Sequence, residues 1–110
     1  MKFDYMSIFE AVWQVVEPML DGVASEGKEL AKAEITSFST RCAHYLSQFV
    51  DGKPLSLAES KLWLQDELDH ARGVLRTVEM LAEITVEQIA DQQGKVILTI
   101  LEALPHAVGL

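Results

Sequence analysis

The stretch SLAESKLWLQDELDHARGVLRTVEMLAEI, Ser56 to Ile84, decides the fold. Ser56 and Glu59 stand in the S-x-x-E arrangement of a capping box, where each side chain takes up a backbone N–H that the first helical turn leaves without a partner. Pro54 keeps Lys53 extended, so the helix begins no earlier. Leu57, Leu64, Leu68, Ala71, Leu75, Val78 and Ala82 then recur at spacings of three, four and seven, which is one apolar stripe of a helix with a period of 3.6. Lys61 is the one polar residue on that line, close enough to the end for its ammonium to reach water. Asp66, Asp69, Arg72, Arg76 and Glu83 occupy the opposite face. Asp69 with Arg72 and Arg76 with Glu79 are opposite-charge pairs at i,i+3, worth about 0.2–0.5 kcal/mol each. The spacing predicts a helix over 57–83.

Immediately upstream, Asp51-Gly52-Lys53-Pro54 is the strongest turn signal in the chain. Gly52 suits the left-handed position that closes a helix. The helix that it closes carries its own stripe: Leu20, Ala24, Gly27, Ala31, Ile35, Phe38, Cys42, Tyr45 and Phe49. Eight steps cover 29 residues without a phase break. This favours one long helix over about 18–50, with Pro18 at its first turn. The other division starts it at Ser25, after a Leu20-Asp21-Gly22 loop. Two interior glycines cost about 1 kcal/mol each relative to alanine, so a kink near Gly22 stays compatible with the longer version. Ala24, Gly27 and Ala31 form a patch without bulk that another helix can approach closely.

Two long helices flanking a tight turn form an antiparallel hairpin. With the turn centred near Lys53 and Pro54, facing residue numbers add to about 107. Phe38 then meets Leu68, Ile35 meets Ala71 or Arg72, Ala31 meets Leu75 and Ala24 meets Ala82, apolar against apolar.

Two shorter helices complete the all-α expectation. Ser7 and Glu10 form an S-x-x-E pair that opens a helix over Ser7–Glu17. Its polar positions Glu10, Gln14 and Glu17 make one narrow line, and apolar residues cover the remaining circumference, so more than one neighbour must bury it. Thr85 and Gln88 open a last helix over Val86–Leu104, stopped by Pro105. The run Val96–Leu101 is rich in β-branched residues and has strand character, but no second strand exists to pair with it. The whole chain, 1–110, reads as a single helical domain.

Composition narrows the function. The chain has 110 residues, 49% hydrophobic and 24% charged, with a formal net charge of −8. That charge repels a phosphate backbone, which sets the chain against nucleic-acid binding, and it repels an anionic membrane surface. A single cysteine, Cys42, builds neither an intramolecular disulfide nor a Cys-based zinc site. No signal-peptide pattern precedes the first helix, and no apolar run has the ~18 residues of a membrane span. A cytoplasmic protein is the expectation.

Candidate chemistry is sparse. Glu67 and His70 form an E-x-x-H, which places a carboxylate and an imidazole one turn apart on a helix face, the device of ferritin-like carboxylate metal sites. Glu34 on the preceding helix falls near them in the hairpin register. These three residues are the candidate ligands for iron, manganese or zinc; the more ordinary reading of the pair is a solvated or interface flank. Arg41 is placed to neutralise a neighbouring acid. His44 beside the stripe is expected to be partly exposed, and Cys42 within it to be a buried, inert thiol. Trp13 and Trp63 read as core or interface anchors. No nucleophile elbow, phosphate loop or H-E-x-x-H is present.

The expected function is therefore a non-enzymatic module for helical oligomerisation or binding of another protein, without a cofactor. The first and last helices carry more apolar surface than a thin hairpin covers, so either a second copy or the chain itself must complete the bundle. Phe9, Val12, Trp13, Val16, Ile97, Ile100, Leu101 and Leu104 are the expected contacts of a dimer or larger assembly. Two alternatives are a ferritin-like metal-binding assembly, through Glu34, Glu67 and His70, and a small phage-type or peripheral membrane accessory protein, through its apolar ends.

Overall fold

A computed structural model describes residues 4–48 and 56–104. The turn at 51–54, Phe49 on the long stripe and the stop at Pro105 lie outside the described residues. Asp4 opens the first helix. Its backbone is extended and its carboxylate accepts the Met6 N–H at 3.0 Å, so α1 spans Tyr5–Val16. Helix one thus begins before Ser7, and the Ser7–Glu10 box is not its cap.

Pro18 does not begin the long second helix. The chain tightens into a single 3-10 turn over Glu17–Leu20, and Gly22 then takes φ +89°. That left-handed backbone is open to glycine and strained for other residues. The second helix, α2, starts after this bend and spans Ser25–Ser47. The shorter division is therefore the one adopted, although Leu20 still reaches the core.

The third helix, α3, spans Leu57–Arg76, with the Ser56 hydroxyl accepting the Glu59 N–H at 3.4 Å. It stops short of the expected 83. The Thr77 hydroxyl and N–H both donate to the Val74 carbonyl, at 2.6 and 3.0 Å, and so satisfy the last turn. Val78 stays buried beyond the helix end, so the apolar stripe runs on without helical backbone. The fourth helix, α4, spans Glu83–Ala103. It begins at Ala82 with no side-chain cap, and the Thr85–Gln88 box is bypassed. Val96–Leu101 is helical.

At two cross-helix pairs and one approach from the turn beyond α3, the register is within a residue of the expected one. Arg41 meets Glu67, Tyr45 meets Trp63, and a Cβ built on Gly27 would lie 3.3 Å from Met80 Cβ. The approach to the small Gly27 comes from the turn after α3. Among the described residues, however, α3 lies most extensively against α4, and α1 against α2; contact between α2 and α3 is sparser. Arg72 Nε donates to Glu87 at 3.1 Å and Arg76 Nε donates to Glu83 at 2.9 Å, which fixes α3 antiparallel to α4.

All four helices contribute to each of two apolar clusters. Ile8, Phe38, Cys42, Leu46, Leu64, Ala71, Ile97 and Leu101 make one. Val12, Val16, Leu20, Ala31, Ile35, Leu75, Val86 and Ile89 make the other. Burying one such large side chain is worth about 1.5–3 kcal/mol. The chain therefore completes its own four-helix bundle, with extents of 48 × 22 × 17 Å. Gln93 sits one helical turn from Ile89 and one from Ile97. It is fully buried, and among the described residues neither amide atom has a hydrogen-bond partner.

Candidate functional site

The α2–α3 seam combines a three-residue charge cluster with an aromatic stack that joins the two helices. On α2 and its C-cap, Leu30, Glu34, Ser37, Arg41, Tyr45 and Gln48 follow at spacings of three and four. On α3, Ser60, Trp63, Glu67, His70 and Val74 do the same. Such spacing puts each set on one helix face, and the hairpin register turns the faces together.

Arg41 holds the centre. Its Nε donates to Glu67 Oε2 at 2.6 Å, Nη1 to Ser37 Oγ at 2.7 Å and Nη2 to Glu34 Oε1 at 3.3 Å. Glu34 is 7% exposed, so the guanidinium neutralises a carboxylate largely removed from water. Burial works against the charge on Arg41, but its hydrogen bonds to Glu67 and Glu34 outweigh this and hold it above the ordinary arginine value. Arg41 thus neutralises an acid, as its place in the sequence implies, and in fact bridges two.

One turn along α2, the Tyr45 ring stacks on Trp63 with centroids 3.8 Å apart and planes 5° from parallel. The Tyr45 hydroxyl lies 3.0 Å from Ser60 Oγ on α3. Thr40, Arg41, His44, Tyr45, Gln48, Trp63 and Glu67 line an open groove of about 500 Å³ above this stack. Cys42 lies beneath, in the core. Burial, with the charge of Glu67, pushes its thiol far above the ordinary value, so little nucleophilic thiolate forms there.

The three candidate metal ligands do not converge. Glu34 and Glu67 turn to the Arg41 guanidinium, which stands where a cation would sit between them, and His70 is exposed one turn away. Among the described residues, no three His, Cys, Asp or Glu side chains are grouped to hold a metal ion.

The eight expected contact residues divide evenly. Val12, Val16, Ile97 and Leu101 are fully buried in the chain's own core. They are core positions because α1 and α4 cover each other as well as the hairpin. Phe9, Trp13, Ile100 and Leu104 are half-buried along the edges. Phe9 stacks on Trp13 at 5.8 Å, and Lys32 Nζ lies 5.6 Å from the Trp13 ring centre. Among the described residues, no helix is long and apolar enough to cross a membrane.

The Tyr45–Trp63 stack was not singled out from the sequence. The signal was present, because the 107 register sets Tyr45 within one residue of Trp63. No family model, curated protein or solved structure matches the chain.

Proposed function

We propose that this chain is a non-enzymatic helical module that binds another protein along the α2–α3 seam. The observation that carries the reading is the gathering of Trp63, Tyr45 and Arg41 in one open groove. Trp, Tyr and Arg are the residue types that dominate the energetics of protein interfaces. These three are also held in place, by the ring stack, the Ser60 contact and the Arg41 fork. A partner then spends little free energy on ordering them.

A photo-crosslinking amino acid at His44, on the rim of the groove, tests this against the same amino acid at Asp91, exposed on α4. In the cells that make the protein, discrete adducts are expected from position 44 and not from 91. An adduct at twice the mass of the chain makes the partner a second copy. Equal adducts from both positions, or none from 44, overturn the reading.

A further inference from the structure

We infer that the seam receives a basic amphipathic helix of another protein, an inference that rests on the seam being the docking surface. Charge is the first reason. Among the described residues that line the groove, Arg41 is the one lysine or arginine, and its nitrogens already donate to Glu67, Ser37 and Glu34. That one guanidinium is shared between two carboxylates, Glu67 on the groove wall and the buried Glu34. On α3, Glu59 one turn before Trp63 and Asp66 three residues after it are both exposed. The aromatic anchor is thus ringed by acid within a chain of net charge −8. Basic groups on a partner gain from this arrangement in encounter rate and in specificity.

Shape is the second reason. The groove opens between two antiparallel helices in sparse contact, whose facing sides run on beyond it, and such a seam is the usual seat of an amphipathic helix. Its apolar contacts lie at the two ends. Tyr45 and Trp63 mark one. Leu30, 50% exposed, Met80, 44% exposed, and the half-buried Val74 mark the other. Trp63 and Val74 are 11 residues apart on α3, about 16 Å along a helix axis. The occupant therefore carries apolar anchors about 11 residues apart, which fall on one face of a helix, with Lys or Arg between them. A second copy of this acidic chain lacks that charge.

The test uses the full chain with Trp13→Phe, so that Trp63 alone reports, and two probes of 18 residues: a Leu/Lys amphipathic helix and its Leu/Glu counterpart. The Leu/Lys peptide is expected to bind one to one, to shift Trp63 emission and to weaken several-fold between 50 and 300 mM salt. Glu59→Gln with Asp66→Lys is expected to cost at least tenfold in affinity. Asp91→Lys with Glu102→Gln, the same change in net charge on α4, is expected to cost less than threefold. Equal losses reduce the effect to net charge and overturn the inference, as does equal binding of the Leu/Glu peptide. Absence of Leu/Lys binding while the crosslinks from position 44 persist overturns the basic helix alone. Loss of those crosslinks overturns the seam itself.

Discussion

Tyr45 and Trp63, from different helices, stack with ring centres 3.8 Å apart and planes within 5° of parallel. The pair joins α2 to α3 at the seam where the helices otherwise touch least. Trp63→Ala removes both the ring and the surface against which Tyr45 is ordered. A loss of about 2–3 kcal/mol in urea unfolding is expected. A double-mutant cycle with Tyr45→Ala should return a coupling of about 0.5–1.5 kcal/mol. Coupling near zero would mean that the rings meet without stabilising each other.

Arg41 bridges Glu34 and Glu67. Arg41→Ala strands the Glu34 carboxylate in its buried position. Allowing for the partial exposure of Arg41, the cost is about 2–3 kcal/mol. Adding Glu34→Leu removes the stranded charge and should recover more than half of the loss. Denaturant midpoints of the single and double variants decide it, and no recovery would contradict the pairing.

Gln93 is fully buried, and among the described residues both its amide atoms lack a partner. An unmet polar group costs about 1–3 kcal/mol. Methionine has nearly the same length and volume, so Gln93→Met should stabilise the fold by about 1–2 kcal/mol. A lowered melting temperature would show that the amide has a partner in solution.

Two glycines within helices separate propensity from packing. A Cβ at Gly73 meets nothing within 4 Å, so Gly73→Ala should stabilise by about 0.5–1 kcal/mol. At Gly27 a Cβ would lie 3.0 Å from Val23 Cγ1 and 3.3 Å from Met80 Cβ. There the clash offsets the helical gain, and Gly27→Ala should be neutral or destabilising. The difference between the two midpoints is the measurement.

Arg76 donates to Glu83 across the α3–α4 seam, and that hydrogen bond holds the Glu83 carboxyl below its ordinary value. A lowered carboxyl pKa contributes stability above the unfolded value, about 4.3, and loses it as pH falls through the lower folded value. Arg76→Gln should therefore be less stable than the parent at pH 7 and converge with it in strong acid. A gap that persists unchanged at low pH would place the effect elsewhere.

Much of the fold was legible because periodicity and register are local properties. The stripes of α2 and α3 and a short connection set the antiparallel register, and Arg41–Glu67, Tyr45–Trp63 and Gly27–Met80 follow within a residue. Helix ends were less legible. They depend on which of several competing groups takes the orphan backbone donors and carbonyls: Asp4 rather than Ser7 at α1, and the Thr77 hydroxyl at the end of α3. Gly22 was visible, but the sign of its φ was not.

By itself the sequence determined four amphipathic helices, the α2–α3 pairing and an acidic surface, since each follows from residue spacing or a charge count. Only the tertiary structure decided that α1 and α4 close the bundle within one chain, with Ile8 and Ile97 in one cluster and Val12 and Ile89 in the other. That depends on the bend at residues 17–24, whose direction no periodic pattern encodes. The fate of Glu34 and Glu67 was decided there too. Spacing placed both near His70 as candidate metal ligands, whereas the fold turns them to Arg41, a side chain already in the seam that satisfies two carboxylates without the cost of binding anything from outside.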